Sequence, residues 1–122
     1  MYLVRVDGAF SAAHYLSHYK GKCEKLHGHN YKVRVWVKGN ELNKAGMLID
    51  FSDLKRTLKE ITDVLDHSLL NEHPFFSDGR ASAERIALYI FMQLEDKLVD
   101  IPLYRVDVFE NEGSMASYVA EK

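Results

Sequence analysis

Tyr31-Lys32-Val33-Arg34-Val35-Trp36-Val37 alternates apolar and polar side chains more cleanly than any other stretch of the chain. A period of two marks a half-buried strand, with Tyr31, Val33, Val35 and Val37 on one face and Lys32, Arg34, Trp36 and Lys38 on the other. Just upstream stands His27-Gly28-His29. If the strand extends that far back, His27 and His29 share the face of the apolar set, about 6–7 Å apart. Gly28 has no side chain, so a partner can come close to the backbone there. Two imidazoles so placed can reach one cation, and a third ligand must come from elsewhere; His14 is the candidate.

Upstream, Tyr2 to Phe10 reads as a strand, followed by Phe10-Ser11-Ala12-Ala13-His14, and residues 15 to 26 read as a loop. Downstream, residues 39–46 form a turn-rich connection. Ser52 is the expected N-cap of a first helix, whose buried stripe is Leu54, Leu58, Ile61 and Leu65 and which ends near Asp66-His67. Residues 71–81 read as loop, with His73 and His18 solvent-facing and Pro74 fitting an extended segment. Ser82 caps a second helix running to about Leu98, with Ile86, Ala87, Ile90, Phe91 and Leu94 buried. Pro102 opens a third strand, and residues 115–120 form a fourth. The expected fold is α+β in the order ββααββ: a four-stranded antiparallel sheet with two helices on one face, forming one domain over residues 1–122. Such a sheet leaves two open edges, which pairing with other chains would cover.

The 122 residues are 47% hydrophobic and 28% charged, ordinary for a globular domain. A net charge of −2 gives no reason to expect nucleic acid as a partner. No apolar run reaches membrane-spanning length, the first residues lack a signal-peptide pattern, and one cysteine excludes an internal disulfide. The expectation is a cytoplasmic protein.

Four constellations can carry chemistry. His14, His27 and His29 supply three neutral ligands and leave a fourth position open, as in catalytic zinc sites; the alternative is a chance pair on a strand and a satisfied polar His14. Cys23 is either an activated thiolate or a small packed residue, and its neighbour Glu24 an acid–base group or a solvated charge. Asp66 can orient His67, but only if the helix ends there, because adjacent helical side chains diverge; otherwise His67 only complements the helix dipole. Glu110 shares the parity of Val106 and Val108, and a carboxylate on an apolar face needs a partner or a donor-bearing ligand, unless the strand has ended and it is solvated.

The motifs Phe10-Ser11-Ala12-Ala13-His14, Cys23-Glu24-Lys25-Leu26-His27-Gly28-His29-Asn30-Tyr31, Met47-Leu48-Ile49-Asp50-Phe51, Leu65-Asp66-His67-Ser68-Leu69-Leu70-Asn71, Ser82-Ala83-Glu84-Arg85-Ile86-Ala87 and Val108-Phe109-Glu110 occur in this order along nearly the whole chain. Together they resemble the 6-pyruvoyl-tetrahydropterin and 6-carboxytetrahydropterin synthase family. The resemblance implies a tunnelling fold (T-fold), whose sheets join edge to edge in trimers that stack into a homohexamer with active sites between subunits. It implies zinc on His14, His27 and His29, catalysis by Cys23, Asp66 and His67, and a pterin substrate anchored by Glu110. The expected reaction turns dihydroneopterin triphosphate into 6-carboxytetrahydropterin, the queuosine precursor. The combined Cys-Glu-x-x-His-Gly-His form resembles members that also serve folate synthesis, with Glu24 directing cleavage to 6-hydroxymethyldihydropterin. Formation of 6-pyruvoyltetrahydropterin ranks third, and a non-catalytic pterin-binding or zinc-stabilised assembly module is the alternative of another class.

Overall fold

A computed structural model describes residues 1–17 and 26–121. Cys23, Glu24 and His18 lie outside the described residues. Strand β1 (Tyr2–His14) and strand β2 (His27–Gly39) pair antiparallel along their whole length, from Tyr2 opposite Gly39 to His14 opposite His27. Helix α1 (Phe51–Leu65) follows, then a two-residue strand β3 (Ser68–Leu69), short 3₁₀ turns at Leu70–Glu72 and Pro74–Phe76, and helix α2 (Ala83–Lys97). Strands β4 (Leu103–Asn111) and β5 (Ser114–Val119) form the closing hairpin.

The sheet order is β3-β1-β2-β4-β5. The expected four-stranded antiparallel sheet is therefore a five-stranded mixed one, because β3 runs parallel to β1 at Ala12 and Ala13. Two residues are too few to show any period, so this strand left no trace in the sequence pattern. β1 also continues four residues past Phe10, since β2 pairs with it all the way to His14. Among the described residues, no further strand pairs with the outer edge of β1 beyond the short contact with β3, nor with that of β5.

Alternation determines which face is covered. Tyr31, Val33, Val35 and Val37 of β2 are fully buried with Val6 and Phe10 of β1 and Val106 and Val108 of β4. Against them α1 places Leu54, Leu58, Ile61 and Leu65, and α2 places Ile86, Ala87, Ile90 and Leu94. Gly8 faces α1 so closely that a Cβ there would lie 2.9 Å from Leu58 Cδ2.

Helix α1 begins earlier than expected. Asp50, not Ser52, is the N-cap, its side chain accepting from Ser52 N at 2.8 Å. Ser82 does cap α2, its Oγ accepting from Arg85 N at 3.2 Å. Residues 71–81 are not plain loop. Pro74 starts a 3₁₀ turn, where its missing N–H costs nothing. His73 is half-buried rather than solvent-facing: Nδ1 accepts from Phe75 N at 3.1 Å, and the ring packs edge-on against Tyr89.

Candidate metal centre

The end of the β1–β2 pair brings the three histidines together. His14 and His27 are direct cross-strand partners, and His29 lies opposite Ala12, so all three rings take the core face. Their centroids are 4.7 Å (His14–His27), 5.1 Å (His14–His29) and 4.7 Å (His27–His29) apart, with steeply inclined planes. One ring nitrogen from each residue lies within 4.8 Å of the others.

His14 is 1% exposed. Its Nδ1 lies 2.6 Å from the carbonyl oxygen of Ala81, just before the cap of α2. A carbonyl only accepts, so Nδ1 carries the proton and Nε2 keeps its lone pair. Burial lowers the pKa of His14 from its ordinary value, favouring the neutral ligand form. Among the described residues, Nε2 of His14 and Nε2 of His29 are both buried without a hydrogen-bond partner. Buried unpaired nitrogens are costly, and a shared cation would satisfy both. The donor set, three neutral nitrogens, suits zinc with one position left open.

Glu110 follows the parity expected of it: it is half-buried near the end of β4, with Oε2 3.8 Å from His29 Nε2. That distance is electrostatic rather than hydrogen-bonding. Glu110 also lines a cavity of about 200 Å³ with Glu84 and Ser114.

Asp66 and His67 do form a pair. The helix ends at Leu65 and Asp66 takes an extended conformation, which removes the divergence of adjacent helical side chains. Nδ1 of His67 lies 2.8 Å from Oδ2 of Asp66. Oδ1 accepts from the Ser11 N–H at 2.8 Å, and the His67 N–H donates to the Ser11 carbonyl at 2.6 Å. The Ser11 bond first, then the His67 bond, lowers the Asp66 pKa. His67 itself has φ 55, the left-handed region that ordinary side chains rarely adopt. The pair sits on the outer edge of β1, with the His67 side chain 83% exposed. It is not in the three-histidine cluster. Instead it borders a cavity of about 510 Å³ that also touches Ser11, Asn30 and His29.

Tyr31 belongs with the site, although the sequence pattern marked it only as core. It is fully buried and stacked on Phe10 at 4.8 Å, with its ring centroid 5.5 Å from His29 and 5.9 Å from His14. Its hydroxyl has no hydrogen-bond partner among the described residues. Burial, reinforced by the charge of Glu110, pushes its pKa far up, so it stays a neutral O–H. The signal was available: Tyr31 lies two residues after His29, on the same face.

Known proteins share this chain's sequence pattern and fold. A profile described as 6-pyruvoyl tetrahydropterin synthase matches residues 3–121. The chain is 38% identical to 6-carboxy-5,6,7,8-tetrahydropterin synthase of Synechocystis, an alignment covering 100% of this chain and 96% of that protein. It is also 38% identical to 6-pyruvoyl tetrahydrobiopterin synthase of Homo sapiens, over 83% of this chain and 72% of that one. The structure of Caenorhabditis elegans 6-pyruvoyl tetrahydropterin synthase superposes with a TM-score of 0.84 at 28% identity, covering 99% of this chain and 98% of that one.

Proposed function

Because the chain belongs to the 6-pyruvoyl tetrahydropterin synthase family, we propose that it is a zinc enzyme converting dihydroneopterin triphosphate to 6-carboxytetrahydropterin. The observation that carries this reading is the convergence of His14, His27 and His29, whose donor atoms lie within 4.8 Å of one another. His14, His27 and His29 would hold the metal, which supplies Lewis acidity towards the oxygens of the substrate's side chain.

The remaining steps fall to the protein's own groups. Glu110 accepts hydrogen bonds from the amino and ring N–H groups of the pterin, the donor-bearing ligand that a half-buried carboxylate calls for. Cys23, as thiolate, removes a proton from the side chain. Asp66 holds the Nδ1–H of His67, which leaves Nε2 free to relay the proton. The exposure of His67 suits a residue that completes a site on a neighbouring subunit, and the open edges of β1 and β5 suit sheet extension into a homohexamer. The enzyme would work in the cytoplasm.

A second reading rests on Cys23 and Glu24 standing side by side. Glu24 would direct part of the flux to 6-hydroxymethyldihydropterin. Mass spectrometry of products from purified enzyme and dihydroneopterin triphosphate separates the two, and a Glu24→Ala variant with an unchanged product profile removes the second. His27→Ala is expected to lose both bound zinc, measured by elemental analysis, and turnover; full turnover by metal-free protein overturns the reading.

A further inference from the structure

The face of the sheet opposite the helices is rich in cations, and the structure separates those already engaged from those that are not. Arg5 is paired with Asp7 at 2.9 Å and Arg105 with Asp107 at 3.0 Å. Asp107, 1% exposed, is further saturated by Trp36 Nε1 at 2.8 Å and Ser117 Oγ at 2.6 Å. Lys38 lies over the ring of Tyr104 at 4.3 Å. Lys32 and Arg34 differ from these: no carboxylate oxygen of the described residues comes within 4 Å of either. They alternate with buried Tyr31, Val33 and Val35, so both charged ends project from the same open face about 7 Å apart at the backbone.

Arg34 is oriented by its stacking on Phe109, with Cζ 4.8 Å from the ring centroid. Cavities of about 340 and 400 Å³ flank the two cations and share them as lining. The first adds the carboxamides of Asn30 and Asn111, with Glu112 at its margin. The second is bordered by Asp7, which is already held by Arg5. Asn30 also lines the cavity beside His67, so the cationic strip borders that cavity, while the three histidines take the opposite face of the sheet.

We infer that Lys32 and Arg34 form an anion site for an oligophosphate chain. Asp7 and Asp107 stand directly across from Arg34 on β1 and β4, but their carboxylates are held by Arg5 and Arg105. A chain of linked phosphates matches two cations spaced along a strand with no carboxylate of the described residues ion-paired to either, and carboxamide N–H groups beside them can donate to its oxygens. The occupant is either the phosphate chain of a substrate or a free inorganic polyphosphate. Choosing between these rests on the pterin reading, whereas the site itself does not.

The test is calorimetric titration of the intact protein with inorganic tripolyphosphate at low ionic strength, repeated on metal-free protein so that chelation of zinc does not count. Trp36, the only tryptophan, sits between Arg5 and Arg105 and gives a parallel fluorescence signal. Saturable binding is expected, weakening with salt, falling at least about tenfold in the Lys32→Gln/Arg34→Gln double variant, and unchanged in Lys44→Gln. Lys32→Gln alone, at an exposed position, decides the matter if the double variant fails to fold. No saturable binding, binding lost with the metal, or undiminished affinity in the variants overturns the assignment. In the turnover assay, competitive inhibition by tripolyphosphate assigns the site to the substrate's own chain, and non-competitive inhibition to a free polyphosphate. If turnover is absent altogether, the pterin reading fails and the titration still stands.

Discussion

His67 holds an unfavourable backbone conformation, and replacing it separates the conformational part of its role from the chemical part. At φ 55 a side chain with a Cβ costs about 1–2 kcal/mol relative to glycine. The position is imposed by its neighbours: α1 ends at Leu65, Asp66 is extended, and the chain must turn at once to lay Ser68 and Leu69 beside β1. His67→Ala and His67→Gly both remove the imidazole and its bond to Asp66, so their difference in stability isolates the backbone. His67→Gly is expected to be the more stable by about 1–2 kcal/mol, or some 3–10 °C in Tm for a chain of this size. Both variants are expected to lose turnover by about 10²–10⁴-fold, the usual worth of a positioned acid–base group. Thermal scans at one protein concentration, with product analysis on the same samples, supply both readouts. Equal stabilities would show that position 67 is not left-handed in solution. Substantial turnover by His67→Ala would remove the Asp66–His67 pair from the mechanism.

Gly8→Val sets a branched side chain against Leu58, where even a Cβ would lie 2.9 Å from Cδ2; overpacking of about 1–3 kcal/mol is expected as a lower urea midpoint. The pKa of Asp66 is lowered in the folded protein, so its contribution to stability is fully present above the ordinary value of 3.8 and is lost as pH falls through the folded value. Wild type is therefore expected to exceed Asp66→Asn in urea midpoint by a constant margin at neutral pH, and that margin is expected to shrink below about pH 4. Tyr31→Phe removes a buried hydroxyl with no protein partner, so the metal-free protein is expected to keep or slightly raise its Tm; a marked fall would show that the hydroxyl is satisfied by something bound.

How much of this was legible in the sequence follows from how far each signal extends along the chain. β2 was readable because four buried residues alternate with four outward ones over eight positions. The same alternation carried His27 and His29 onto the core face, and cross-strand register then delivered His14. Parity also placed Glu110 correctly. What stayed hidden was short or depended on distant contacts. β3 is two residues long, and its pairing depends on where β1 lies. The choice between Asp50 and Ser52 as cap was open because both residue types cap well; the helix simply begins two residues sooner. His73 read as exposed because nothing local announces a ring packed against Tyr89, sixteen residues away.

The contact between His14 and Ala81 shows how the fold imposes the chemistry of the candidate metal site as well as its position. The ring's tautomer is set by a main-chain carbonyl, so no side chain at position 81 can substitute for it or abolish it directly. That carbonyl is held where α2 begins, one residue before the Ser82 cap. Arg85, whose N–H the cap receives, also extends its guanidinium to the Phe75 carbonyl at 3.1 Å and to Asp78 at 3.0 Å. The segment between the helices is thereby tied to the start of α2, and the start of α2 to the buried ligand on β1. A ligand whose free nitrogen is selected through backbone bonded in this way loses little freedom when a cation binds. The organisation is already present in the protein, and the lone pair of Nε2 is available before any metal arrives.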